Sequence, residues 1–189
     1  MDALNAASGS APGARAGVTE MIRKGVNSPL TSSMGRLFDA AASIAGVRDE
    51  ITFEAEAAIE FESIASEGED AYPFGLEGEG PIAIDTRPLI RALAKDANLG
   101  IPVGRMAGRF HSAIAGMVLR VSEILRSETG IKSVVLSGGV FQNRLLSELA
   151  ERKLRAAGFE VCRQERVPAN DGGISLGQAA VAIENIKGR

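Results

Sequence analysis

Residues 132–163 read KSVVLSGGVFQNRLLSELAERKLRAAGFEVCR. Val134, Val135 and Leu136 make a short apolar run of strand length, expected to be buried, and Ser137-Gly138-Gly139 then punctuates the chain. Over residues 141–157 the apolar positions recur at helical spacing until Gly158, and residues 159–163 return to an extended pattern. Strand, helix and strand in so short a span define a β-α-β unit with parallel strands and a right-handed crossover. This unit sets the α/β class.

Downstream, residues 172–186 predict a final helix. Upstream, residues 103–129 carry Phe110, Ile114, Met117, Val118, Val121 and Leu125 on one face, the mark of a long core helix ended by Gly130. Asp85 is placed to cap a helix through residue 97, and residues 81–84 read as a strand. Residues 66–80 form an acidic, glycine-rich loop around an extended piece at 72–76. A helix is predicted at 54–65, and another at 34–45 with Ser33 as N-cap and Gly46 as stop. A short helix at 18–24 follows a flexible, aperiodic lead over residues 1–17, so the ordered unit is expected over 18–189.

The 189 residues suit one domain or slightly more, and 45% hydrophobic with 24% charged residues excludes a disordered chain. A formal charge of -3 gives no basic field, so DNA is not an expected partner. No apolar run approaches the ~20 residues of a membrane span, and the N-terminus lacks the apolar segment of a secretory signal. A cytoplasmic protein is expected. One cysteine, Cys162, excludes an internal disulfide and reads as a buried small hydrophobe. One histidine, His111, reads as a packed or capping residue of the long helix, not a catalyst. Glycine is frequent, at 22 residues, and aromatics scarce, at 4%, which suggests tight strand-to-helix turns more than a greasy pocket.

Three segments could carry chemistry. Gly138 and Gly139 lie where a strand turns into a helix, so backbone can approach a ligand closely and the helix start offers unpaired N–H groups. Asn143, one turn on, could bond a ribose or phosphate edge; the alternative is a tight turn with no ligand. Asp171 precedes the last helix and is either a carboxylate ligand for a divalent cation or an N-cap. Gly35, in the first turn of its helix, costs about 1 kcal/mol against alanine and invites a close-approach explanation, with Asp39 one turn along on the same face. Arg36 and Arg144 are secondary anion-binding candidates, and the glutamates of residues 54–79 read as a solvated face.

The segments NSPLTSSMGRLFDA (27–40), EAAIEFE (56–62), RFHSAIA (109–115), LSGGVFQNRLL (136–146) and VPANDGGISLGQAA (167–180) occur in this order. Together they resemble the C-terminal part of the HypF carbamoyltransferases of [NiFe]-hydrogenase maturation, over residues 18–186. Wider relatives are tRNA threonylcarbamoyl-transferring enzymes and antibiotic O-carbamoyltransferases. The resemblance implies an actin/Hsp70/sugar-kinase-like ATPase lobe of RNase H-like type, a mixed sheet flanked by helices. It implies ATP or carbamoyl-adenylate in a cleft, a divalent metal ion, and transfer of the carbamoyl group to the C-terminal cysteine of a HypE-like acceptor. By resemblance Asp39 contacts the ribose, Gly35, Gly138, Gly139 and Asn143 line the nucleotide site, and Asp171 is a metal ligand.

The chain departs from that pattern in three ways. It contains no His-rich metal motif, and the acylphosphatase-like, zinc-finger-like and carbamoyl-adenylate-forming domains are not in it. Where the family often has glycine after the glutamate of an EGQAA-like stretch, this chain reads Glu54-Ala55-Glu56, which alters the ribose-side contact. The expectation is a C-terminal lobe, inactive alone, with the partners of His111 in an upstream half. An exposed lobe face able to self-associate follows from the same reading.

Overall fold

The computed structural model describes residues 12–188 except 69, 79 and 80; residues 1–11 of the expected lead lie outside the described residues. Helix α1 spans Pro12–Lys24 and so begins before Val18. Proline at a first helical position and the alanines after it favour that earlier start. Helix α2, Met34–Ile44, opens on Ser33, whose hydroxyl accepts the Arg36 N–H at 3.4 Å, and buries Phe38, Ala41 and Ala42. Helix α3 is Glu56–Ser63. Strands β1 (Gly75–Glu77) and β2 (Ala83–Asp85) pair antiparallel. Asp85 then accepts the Arg87 N–H at 2.9 Å, capping helix α4, Arg87–Asn98.

Helix α5, Val103–Thr129, ends as expected on Gly130 in the left-handed region at φ 74°. The β-α-β unit follows as strand β3 (Ser133–Leu136), a 3-10 turn (Gly139–Gln142), helix α6 (Arg144–Ala156) and strand β4 (Glu160–Arg163). β3 and β4 are parallel. A second 3-10 turn, Asp171–Gly173, leads into helix α7, Ile174–Lys187. Among the described residues, strands of both orientations are present, as one antiparallel and one parallel pair.

The core forms around α5, which packs against α3, α4 and α6 while α2 closes over α3 and α4. Phe38, Phe61, Phe110, Leu93, Ile114, Leu146 and Leu154 are fully buried there or nearly so. Each such side chain contributes roughly 1.5–3 kcal/mol of transfer free energy. Phe38 meets Phe110 edge-on with ring centroids 4.8 Å apart, so α2 is seated by an aromatic contact as well as by area. The loop before β1 is clamped to α4 and α5: Tyr72 donates to Asp96 of α4 at 2.8 Å, and the guanidinium of Arg109 of α5 lies 4.4 Å from the Tyr72 ring centre. Burial, and then Asp96, push the Tyr72 phenol up.

The β3–β4 pair is covered on one face only. Val134 and Val161, paired in register, face α5 and α6, while Val135 and its partner Cys162 face outward. Val135 and Cys162, both expected to be buried, are therefore exposed, because alternate residues of a strand take opposite faces. The solvated face expected of the glutamates is also corrected. Glu56 is buried and accepts the N–H and hydroxyl of Thr52, with Arg48 at 3.1 Å; Glu60 pairs with the same Arg48. The Thr52 N–H, then the Thr52 hydroxyl and Arg48, hold the Glu56 carboxyl below its usual range against burial.

This network holds the entry to α3, where Ala55 sits in the left-handed region at φ 63°. That conformation costs an L side chain about 1–2 kcal/mol, partly offset by the greater unfolded-state entropy of glycine. Ala55→Gly should stabilise the chain by about 0.5–1 kcal/mol, read as a higher urea midpoint at unchanged slope.

Candidate functional site

The starts of α2 and α3 and the two 3-10 turns open on one cleft of about 660 Å³. Gly35, Asp39, Gly139, Asn143 and Asp171 all line it, so residues picked from three separate segments converge. Gly138 lies just behind. Its φ of 107° requires glycine, and its N–H donates to the Ala169 carbonyl at 2.8 Å, tying the first loop to the one that carries Asp171.

The glycines divide by cause. A Cβ on Gly35 would meet only Ser33 Oγ at 3.6 Å, and one on Gly139 only Asn170 Cβ at 3.9 Å. Packing of the chain itself does not demand glycine at either. At Gly172 and Gly173 the added atom would fall 2.9 Å from Pro168 Cγ and 2.9 Å from the Pro168 carbonyl oxygen. Those two glycines serve the folding of their own loop.

Asp39 presents a buried Oδ2 that accepts no hydrogen bond. Arg36 Nη1 is 3.0 Å away as an ion pair, off the line a hydrogen bond requires. The Asp39 side chain as a whole is 23% exposed and lines the cleft, where a carboxylate suits a ligand hydroxyl. Arg36 thus serves Asp39, and Arg144 pairs with Glu148 at 2.7 Å on the rim of an adjoining pocket.

The start of α6 is occupied. Asn143 Oδ1 accepts the Leu146 N–H at 2.7 Å, its carbonyl accepts that of Ser147, and Glu62 Oε1 accepts that of Leu145 at 3.0 Å. The unpaired N–H groups expected at this helix start therefore sit elsewhere. A 3-10 turn leaves its own first N–H groups without internal partners, here those of Gly139 and Val140, both in the cleft wall. Glu62 escaped the sequence reading. Its signal was the stripe Ala55, Ala58, Ile59 and Glu62 at helical spacing, which puts the carboxylate on the cleft side of α3.

His111 is fully buried, and its partners lie within this chain, not in an upstream half. Nδ1 is 2.8 Å from the Ala107 carbonyl and Nε2 is 2.9 Å from Asn143 Nδ2. Burial pushes its imidazole below the usual range.

Asn170, not Asp171, caps the second turn, accepting the Gly172 N–H at 3.0 Å. Asp171 is thereby available to the cleft. Among the described residues no group of three His, Cys, Asp or Glu side chains could hold a metal ion, so Asp171 offers one ligand and not a site. Among the same residues no helix is long and apolar enough to cross a membrane.

In this α/β fold, glycine turns and carboxylates from separate segments meet at one cleft. Residues 2–178 match the family described as carbamoyltransferase, Kae1-like domain, second subdomain, and the chain belongs to that carbamoyltransferase family. It is 39% identical to carbamoyltransferase HypF of Rhizobium leguminosarum bv. viciae over 170 residues, 89% of this chain and 22% of that protein. With carbamoyltransferase HypF of Synechocystis sp. it shares 36% over 159 residues, 82% of this chain and 20% of the relative. The crystal structure of full-length HypF in its phosphate- and nucleotide-bound form superposes with a TM-score of 0.89 at 39% identity, covering 93% of this chain and 23% of that one. The chain thus spans about a fifth of the length of these relatives. Its kinship to solved HypF structures confirms the α/β, actin-like ATPase class.

Removing the Asn143 side chain deletes an N-cap worth about 1 kcal/mol and leaves His111 Nε2 buried without a donor, a further 1–3 kcal/mol or so. Asn143→Ala should therefore lose roughly 2–4 kcal/mol in equilibrium unfolding, and Asn143→Ser, which keeps a capping oxygen, distinctly less.

Proposed function

We propose that this chain is the nucleotide-binding half of a HypF-like carbamoyltransferase site, which passes a carbamoyl group from carbamoyl-adenylate to the C-terminal cysteine of a HypE-like acceptor. The acceptor thiolate attacks the carbamoyl carbon, a C–S bond forms, the C–O bond to the adenylate breaks, and AMP leaves with the electron pair. In this reading the chain supplies positioning. The Asp39 carboxylate accepts a ribose hydroxyl, the open space at Gly35 admits the sugar edge, and the Gly139 and Val140 N–H groups face the phosphate. Asp171 would contribute one carboxylate to a divalent cation whose other ligands come from outside this chain.

The observation that carries the reading is the convergence of Asp39, Gly139, Asn143 and Asp171 on one cleft. The relative solved with nucleotide and phosphate bound supports it. The apolar exposure supports the other half of the proposal, an upstream lobe. Helix α7 is exposed along its length, with Ile174, Leu176, Val181, Ile183 and Ile186 all more than half exposed. These residues do not collect on one stripe, and a helix apolar on several sides is made for burial on several sides. Val18, Met21 and Ile22 of α1 and Val135 of β3 are exposed as well. Unpartnered, α7 is the face through which the chain would self-associate.

AMP, the portion common to ATP and carbamoyl-adenylate, is the probe. Asp39→Asn should weaken AMP binding by about 10- to 100-fold, since a hydrogen bond to a charged acceptor is worth roughly 1.5–3 kcal/mol. Carbamoyl-phosphate-dependent ATP cleavage should be absent with this chain alone and appear when the upstream polypeptide is added. Calorimetry and a pyrophosphate-release assay check both; cleavage by the chain alone, or AMP affinity indifferent to Asp39, overturns the reading.

A further inference from the structure

We propose that His111 is a positioning residue of the cleft: its ring, in the neutral Nδ1–H form, locks the Asn143 carboxamide so that one end starts α6 and one N–H is presented to the bound nucleotide. What that N–H meets rests on the function proposed above; the locking itself does not.

Hydrogen-bond chemistry settles the orientation. The Ala107 carbonyl, 2.8 Å from Nδ1, can only accept, so Nδ1 carries a proton. A neutral imidazole then has a bare lone pair at Nε2, and the group 2.9 Å away must donate to it. That group is therefore the amide nitrogen of Asn143. At its other end the carboxamide oxygen accepts the Leu146 N–H at 2.7 Å. Turning the amide over would set nitrogen against an N–H and oxygen against a lone pair, losing both bonds together. One of the two amide N–H groups is thus fixed on His111, and its twin remains on a residue that lines the cleft.

The surroundings keep the ring neutral. Phe38, Phe61 and Phe110 surround it with centroids 5.3, 5.9 and 6.0 Å away. Glu62 is the charged group that favours protonation, and burial outweighs it. Phe38 also precedes Asp39 in α2, so the ring that orients Asn143 braces the helix that carries the ribose acceptor. The same core contact therefore sets both sides of the cleft.

His111 is the chain's one histidine, so its ring nitrogens give an unambiguous nitrogen-15 spectrum. The expected spectrum has protonated Nδ1 and a hydrogen-bonded, unprotonated Nε2 at neutral pH, with Nε2 shifted by Asn143→Ser. In calorimetry with AMP, His111→Phe should weaken binding about 5- to 10-fold and His111→Gln, whose amide oxygen can accept from Asn143, less. In the Asn143→Ser background His111→Phe should cost nothing further. A proton on Nε2, or losses that add, overturns the positioning role. Should His111→Phe fail to fold, the spectrum and His111→Gln still decide. A wild-type chain that shows the expected spectrum yet binds no AMP, with or without the upstream polypeptide, overturns the nucleotide reading and leaves His111 a core residue.

Discussion

Everything near the cleft depends on how closely other elements approach α5. Its inward face carries Ala107, Gly108, Ala113 and Ala115, all buried, interleaved with Phe110, His111, Ile114 and Met117. Small residues admit neighbouring backbone, and the large ones between them fill the gaps. Gly104 is the extreme case. Its carbonyl accepts the Ser66 N–H at 2.8 Å, and a Cβ there would lie 2.6 Å from the Ile64 carbonyl oxygen. The end of α3 is thereby pinned to the start of α5, and Glu62, just before it, is brought onto the first turn of α6. The cleft is shaped from behind, by a helix that lines none of it.

That arrangement explains which parts were legible in the sequence. Helix α5 ran over the expected residues because its apolar period is long and its stop is a glycine. The β-α-β unit was readable for the same kind of reason, but its helix starts at Arg144, not residue 141. Asn143, read as a ligand contact, is also the N-cap, and a residue in extended conformation at a cap divides a 3-10 turn from the α-helix. Gly139 and Asp171, which line the cleft, stood out because glycine and aspartate in loops that follow a strand carry a local signal. Glu62 and His111 were not assigned because their roles come from pairings across 83 and 32 residues, which no local pattern records.

The misread burials share one physical origin. Val135 and Cys162 have the character of core residues, and in a sheet covered on both faces they would be core. Their exposure, like that of α7, measures how much of the apolar coding in this chain lies outside its own core. Burying one such aliphatic side chain is worth roughly 1.5–3 kcal/mol. The side chains exposed on α7 and β3 thus leave apolar area that this chain does not bury by itself. Residue type thus predicted a tendency to be buried, and topology decided by what.

Charge divides the proposed work of the cleft. Its wall carries Asp39, Glu54, Glu62 and Asp171 against Arg36, a net negative lining. Arg36 is already paired with Asp39, and Glu62 rests on the start of α6, where its charge opposes the positive end of the helix dipole. Such a surface suits the hydroxyls of a sugar, which donate to carboxylates, and resists phosphates, whose charge only the Gly139 and Val140 N–H groups answer from this side. The positive charge a phosphate needs must therefore arrive with another group, and Asp171, uncapped and facing the same space, is the place on this chain where a cation would find its first carboxylate. In the proposed reading, such a lining meets the sugar side of a nucleotide, and the charge that answers its phosphates comes from outside this wall.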